Sequence, residues 1–412
     1  MCRLRSPGVV GLFFLLSLFL AGAAPFFCPQ VACAQSDTRL EEGGGQSPSL
    51  SALVEEQLEA LDLRELEELG ARLEEDARLA LPELDVRRLV RDPGLSRAAL
   101  DPGRLMKGLV RYLFRELLIN LRLLGQLVVL AVLLAVLQSM QGALGERSFG
   151  DLVFAGGFLV LILLGIQSFI VAAGYTRQAL ADMTAVMQAL LPLLSALLLA
   201  AGGTVSVALL HPVVYGVLPV LSGLINQVVL PLLFLSVALG LVGNLSQKFP
   251  LSRLAGLARQ LSVGFLGLCF SALLGTLLVR GVAGPVADGV SIRAGKFLAA
   301  TFIPVVGKMF SDAVEIVVGT SLLVKNALGL VGIALLVGYC AFPIVKITAL
   351  YLVYRLVNAL VQPVSDPRFT DALGHLESSL LLLAVAVGVV GLIFFLAIGV
   401  MVGVGSLMLA AR

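Results

Sequence analysis

The chain has 412 residues, of which 58% are hydrophobic and 14% charged, and its mean hydropathy is +1.00. A soluble domain carries about 25% charge, so the composition excludes an ordinary soluble globular protein and indicates an integral membrane protein. The net charge of +2 hides a division of sign: residues 35–101 hold 17 acids against 8 bases, and residues 104–412 hold 10 against 19. An acidic segment precedes a basic, apolar body.

The N-terminus has the pattern of a secretory signal. Arg3 and Arg5 form a charged start, Val9–Leu20 a short apolar core, and small-x-small sites follow at Ala21-Gly22-Ala23 and Ala32-Cys33-Ala34. An uncleaved anchor helix is the alternative. Gln30 stands where a lipobox needs an aliphatic residue, which argues against lipidation. Of five cysteines, Cys2, Cys28 and Cys33 lie in this presequence, and Cys269 and Cys340 lie in apolar segments, so no disulfide framework is expected.

Residues 35–49 form a Gly/Ser/Pro-rich leader. From Leu50 to about Leu100 the leucines at 58, 61, 66, 69 and 73 fall near helical spacing, with Glu55, Glu59, Glu65 and Glu68 between them. Two or three short amphipathic helices are expected, punctuated by Pro82 and by turns at Asp92-Pro93-Gly94 and Asp101-Pro102-Gly103. A basic stripe follows. Arg104, Lys107, Arg111, Arg115 and Arg122 share one helical face, which suits anionic headgroups or an acidic partner segment.

Leu117–Leu137 and Leu152–Gly174 are each long enough to span about 30 Å of hydrocarbon. Between Val186 and Asn244, an apolar tract carries Pro192, Gly202-Gly203, His211-Pro212, Pro219 and Pro231, and two or three helices, some broken or re-entrant, are expected there. Lys248, Arg253 and Arg259 mark a polar break. Val263–Val282, Leu322–Phe342 and Leu380–Ala411 read as further spans, and Lys346–Val361 as amphipathic. The expected fold is an all-α polytopic membrane protein of six to eight transmembrane helices, some broken or re-entrant, preceded by a small acidic helical extracytoplasmic region. Its divisions are a signal peptide at 1–34, the acidic segment at 35–103 and a multi-span membrane domain at 104–412. A cleaved signal and five crossings put Lys248, Arg253 and Arg259 inside, in keeping with the positive-inside rule, but leave the Arg104–Arg122 stripe outside, against it.

The stretch TFIPVVGKMFSDAVEIVVGTSLLVKNALGL (301–330) is apolar yet holds Lys308, Asp312, Glu315, Lys325 and Asn326. Lys308, Asp312 and Glu315 fall at i, i+4 and i+7 on one face, where Lys and Asp can pair. Unpaired charge at the bilayer centre costs several kcal/mol, so such groups face protein, water or the headgroup layer. Two readings stay open: residues 291–320 form an interfacial amphipathic helix, or the segment is re-entrant or bundle-lining and borders an aqueous path.

No enzyme signature is present and no cofactor is expected. His211 and His375 are the only histidines, which excludes a multi-His metal site and HExxH. His211, preceding Pro212, is expected to be a hydrogen-bond partner at a helix break. The absence of GxxxxGK[ST] leaves nucleotide hydrolysis to another chain, and nothing suggests nucleic-acid binding.

FIPVVGKMFSDA (302–313), SLLVKNALGL (321–330), CAFPIVKITAL (340–350) and VQPVSD (361–366) together resemble the stage III sporulation protein AE family. The resemblance is densest across 290–366. It implies a non-enzymatic membrane subunit of the secretion-like channel complex joining mother cell and forespore in endospore-forming bacteria. It further implies a place in the mother-cell membrane around the forespore, with membrane lipids, a secretion-type ATPase, other membrane subunits and a forespore-side ring as partners. A non-conducting scaffold that recruits partners and an independent secondary transporter are the competing readings.

Overall fold

In lipid every backbone N–H and C=O must find its partner inside the chain, and a helix does this residue by residue. The computed structural model describes residues 64–73, 102–144, 147–245, 251–302 and 306–410. The signal segment and most of the acidic segment lie outside the described residues. The described helices are α1 (Arg64–Arg72), α2 (Pro102–Ile119), α3 (Leu121–Leu144), α4 (Arg147–Ala200), α5 (Thr204–His211), α6 (Leu218–Leu224), α7 (Leu230–Leu245), α8 (Ser252–Phe302), α9 (Val306–Val361) and α10 (Pro367–Ala410). Two π-helical segments, Pro212–Val217 and Ile225–Val229, join α5, α6 and α7.

Among the described residues, five stretches are long and apolar enough to cross a bilayer: Ala155–Ala200, Thr204–Asn244, Ser252–Ser291, Val318–Val361 and Pro367–Val404. The pair α2 and α3, bent by 46°, makes a sixth if taken as one span. The all-α polytopic expectation is met, with five or six such stretches among the described residues.

Some expected neighbours fuse. Leu152–Gly174 and the apolar residues from Val186 belong to one helix, α4, which continues through Pro192. Between the two apolar halves, Thr176 and Thr184 donate to the carbonyls of Ala172 (3.0 Å) and Leu180 (2.7 Å), so their hydroxyls are satisfied within the helix. Leu322–Phe342 and Lys346–Val361 likewise lie in α9, which passes through Pro343. At about 1.5 Å per residue, the 54 residues of α4 reach about 81 Å, far beyond the roughly 30 Å of hydrocarbon. Long helices of this kind must leave the oil along part of their length.

Nor do the prolines of 204–245 break the chain into re-entrant pieces. The ladder widens instead: Leu218 N–H reaches the carbonyl of Val213 and Leu230 N–H that of Ile225, five residues back in each case. α4 ends at Gly202, whose φ of 88° lets Gly203 N–H close on Leu198 O at 2.8 Å. At the other end of the body, the expected Asp101-Pro102-Gly103 turn is the first turn of α2. Pro102 heads that helix, where its missing N–H costs nothing.

α9 is the centre of the bundle. Of its most apolar stretch 89% is buried, against 22% for that of α8. It runs antiparallel to α4, with Tyr354 O–H donating to Ser168 Oγ at 2.8 Å and Lys346 Nζ lying 5.3 Å from the Tyr175 ring centroid. It also runs antiparallel to α10, where Arg355 Nε and Glu377 Oε1 are 3.9 Å apart and Cys340 Sγ approaches Val387 O at 3.8 Å. Between helices in lipid, such contacts and close packing carry the association, because the tails are as apolar as leucine.

Candidate functional site

Lys325 is 0% exposed, and its Nζ has no hydrogen-bond partner among the described residues. It sits on the central helix α9, one turn before Gly329 and two before Gly332. A Cβ at Gly329 would strike Val402 of α10, and one at Gly332 would strike Leu190 of α4. Spacing of four and seven residues puts Lys325 on the face of α9 that Gly329 and Gly332 present to α10 and α4. Its neighbours on the preceding turns, Leu322 and Val318, pack with Ala201. An ammonium buried in such surroundings without a partner is costly. Asn326, the next residue, is half-buried.

Lys308, Asp312 and Glu315 belong to the first turns of α9 by backbone, but their side chains lie outside the described residues. The tract 291–320 divides between the end of α8, at Phe302, and the start of α9, at Val306. It therefore belongs to two long helices rather than to one separate surface helix.

The basic stripe is also divided. Lys107, Arg111 and Arg115 are exposed on α2, while the opposite face, with Leu105, Leu109 and Tyr112, is buried. Tyr112 meets Phe342 of α9 edge to face, with centroids 5.1 Å apart. Arg122 is exposed on α3, beyond the 46° bend. The bend falls at Asn120, whose side-chain Nδ2 donates to Glu116 O at 2.8 Å. The side chain of Arg104 lies outside the described residues.

Two arrangements escape a reading by sequence. In the first, the lone charges Arg280 and Asp288 of α8 flank Gly284 at intervals of four residues. Asp288 accepts the backbone N–H groups of Val205 (2.8 Å) and Ser206 (2.9 Å), and Arg280 Nη1 donates to Leu209 O at 2.9 Å. The carboxylate therefore meets the electropositive start of α5, and the guanidinium meets a backbone carbonyl one turn before Val213 in the same helical run. These charges are structural. The signal was the i, i+4, i+8 spacing of base, glycine and acid within an apolar tract.

In the second, Tyr175, Gln178 and Asp182 of α4 face Tyr339 and Lys346 of α9 across a cleft of about 310 Å³, with Arg72 of α1 also lining it. Gln178 Nε2 donates to Asp182 Oδ1 at 2.9 Å. Tyr339 O–H donates to Leu69 O at 2.7 Å and so fixes α1 against α9. The i, i+3, i+7 spacing of Tyr175, Gln178 and Asp182 was the available signal.

His211 does not serve as the expected hydrogen-bond partner at a helix break. It makes no side-chain cap to the π segment that follows, and its ring stacks on Tyr215 with centroids 4.3 Å apart. Pro212 causes no opening that calls for a polar cap, because the wider π spacing absorbs it. Among the described residues, no three His, Cys, Asp or Glu side chains converge as a metal site would require.

Residues 84–405 match the family described as Stage III sporulation protein AE. The Stage III sporulation protein AE of Bacillus subtilis (strain 168) is 36% identical over 309 residues, covering 75% of this chain and 77% of that protein. No solved structure matches the chain. The matched span takes in α2 to α9 and most of α10, with the buried Lys325, the α5 clamp and the α4 and α9 walls of the cleft. The chain belongs to the stage III sporulation protein AE family.

Proposed function

We propose that this sporulation protein is a membrane subunit of a transenvelope channel complex that moves solutes between mother cell and forespore. Its place is the mother-cell membrane around the forespore. It works there with a secretion-type ATPase, which supplies the nucleotide hydrolysis that this chain has no motif for, and with a ring on the forespore side. The chain itself performs no catalysis.

The observation that carries the reading is Lys325. An ammonium buried on the packed face of α9, with no hydrogen-bond partner among the described residues, is unfavourable in a protein that only anchors partners. In a conduit, the α4–α9–α10 junction parts, and Lys325 gains water or a passing anion in the open state. The closed arrangement is then one member of a two-state pair that partner subunits bias.

Thiol labelling tests this. Single cysteines at 318, 322 and 328, in a chain whose Cys269 and Cys340 are replaced, are challenged with a membrane-impermeant reagent during sporulation. Labelling along this face when the other subunits are present, and protection in the isolated chain, is the expected pattern. Protection in both states removes the conduit.

The scaffold reading draws on a different observation, the exposed Lys107, Arg111 and Arg115. Each base near an anionic surface contributes about 1 kcal/mol of attraction. Replacing all three with Gln while retaining sporulation would show that recruitment through this face is dispensable.

A further inference from the structure

On α4, Thr184, Gln188 and Ser195 fall at i, i+4 and i+11, and so share one face. The run from α5 to α7 answers with Tyr215 and Ser222. Thr184 Oγ1 and Ser222 Oγ stand 3.0 Å apart, and the Ser195 side chain meets the Tyr215 hydroxyl. The order is reversed along the two elements, so they pack antiparallel and their polar residues form one seam. Thr184 has a single proton, which goes to Leu180 O at 2.7 Å, so in its pair with Ser222 it is the acceptor.

Between these two contacts lies a cavity of about 40 Å³, lined by Thr184, Gln188, Tyr215, Pro219 and by Phe394 of α10. Phe394 stands at the middle of residues 378–411, which carry no charged side chain, so the cavity is deep in the membrane. Gln188 is exposed there, and its amide has no hydrogen-bond partner among the described residues. An amide offers two donors and two acceptor lone pairs, and hydrocarbon answers none of them. Leu190, two residues on, faces Gly332 of α9. Two residues turn a helix by about 200°, so the seam is on the side of α4 remote from Lys325.

We propose that this seam holds water at the middle of the membrane, bound to the Gln188 amide and the Thr184–Ser222 hydroxyl pair. The size fits. A polar cavity needs about 10–15 Å³ to take one water, so this one takes a small cluster and excludes an amino acid, a sugar or a nucleotide. The chemistry fits as well. The polar groups on its wall are neutral hydroxyls and an amide, which match a molecule that both donates and accepts and give a bare ion no counter-charge. Irregular backbone at membrane depth is tolerated where it lines a water-filled cavity, and the π segment Pro212–Val217 supplies Val214 and Tyr215 to this wall. The exposed His211 ring, stacked on Tyr215, continues the seam by one turn toward the Gly202 end of the bundle. Water therefore reaches the midplane along a helix pair that composition alone marks as oil-facing.

The full wild-type chain is reconstituted in nanodiscs and given brief X-ray radiolysis, which makes hydroxyl radicals from water held beside a side chain. Met183 and Met187 are the internal comparison. Both are buried on α4, one turn apart, and Met187 lines the cavity whereas Met183 does not. Sulfoxide formation, read by tandem mass spectrometry, should be at least fivefold faster at Met187. A second arm uses Gln188→Cys and Val220→Cys in a chain without its native cysteines. Val220 is exposed beside Pro219 but stands outside the cavity wall, so it reports the lipid at the same depth. A small membrane-impermeant thiosulfonate should modify the thiol at 188 at least tenfold faster than that at 220. Equal sulfoxide rates, or equal thiol rates, overturn the proposal. The first arm needs no variant and therefore stands even if a cysteine chain fails to fold. Both arms read the isolated chain on the side of α4 away from Lys325, so their failure leaves the conduit reading to its own test.

Discussion

The carboxylate of Asp288 and the backbone N–H of Ser206 meet at 2.9 Å, 82 residues apart in sequence, and the other carboxylate oxygen takes Val205 N–H at 2.8 Å. A helix leaves its first N–H groups without internal partners, and α5 begins at Gly203, which has no side chain to cap them. A residue from another helix does the capping. Asp288→Ala should lower stability by about 2 kcal/mol, since it removes two charge-assisted bonds in a buried place. Asp288→Asn, which keeps one acceptor oxygen, should lose about half of that. Thermal unfolding in detergent, followed by the loss of monodisperse protein, reads both. If neither variant melts earlier than wild type, the clamp contributes nothing.

Gly284 lies midway between Arg280 and Asp288, where α8 comes closest to α5. A Cβ there would stand 2.7 Å from Ser206 Oγ and 2.8 Å from Ser206 Cα, whereas a Cβ at Gly275 meets nothing within 4 Å. Gly284→Ala should therefore force the helices apart, costing about 1–3 kcal/mol by overpacking. Gly275→Ala should be neutral or gain up to about 1 kcal/mol of helix propensity. The same melting assay compares them. Equal shifts for the two alanines would show that the backbone contact is not a constraint.

Much of this architecture was legible in the chain itself, and the reasons for the exceptions are physical. Composition and apolar runs give the membrane class because a bilayer imposes length and hydrophobicity directly. The family resemblance over 290–366 was visible in long motifs. Helix boundaries fared less well. Pro192 and the prolines of 204–245 read as breaks in sequence, but a helix in lipid keeps its ladder by absorbing a proline or widening to π spacing, because free backbone groups have no water to turn to. Lys325 was legible as an oddity, and its full burial was not, since a helical repeat cannot say which neighbouring helices close over a residue. Arg280 and Asp288 were missed for the opposite reason. Their partners are backbone groups of α5, which leave no mark on composition. The cleft required α4 and α9 to be aligned antiparallel, which no local pattern specifies.

Tyr339 links the membrane bundle to α1 through its bond to Leu69 O at 2.7 Å, spanning 270 residues. Leu66, Leu69 and Leu73 are buried on the same side of α1, so the hydroxyl is one of several ties. Tyr339→Phe keeps the ring and deletes the donor. The expected cost is about 1 kcal/mol, or roughly fivefold faster amide exchange across α1. Hydrogen-exchange mass spectrometry of peptides covering 64–73 reads it, with α10 peptides as the internal control. Unchanged exchange in α1 would mean that the leucines alone hold the helix.

Lys325 separates stability from function more sharply than any other described residue. Lysine carries a long apolar stem ending in an ammonium, and among the described residues that ammonium finds no hydrogen-bond partner. Lys325→Met keeps the length and removes the charge, so the isolated chain should gain about 1–3 kcal/mol, the usual cost of an unsatisfied buried polar group. If the charge serves an open state, the same variant should fail in a sporulating host that carries it as the sole copy, despite normal membrane levels. A gain in one assay with a loss in the other is the signature of a group kept for use at the expense of rest. Heat-resistant spore counts beside a detergent melt give both numbers. Wild-type spore yield together with a raised melting temperature would make Lys325 an evolutionary passenger and leave the conduit without its principal support.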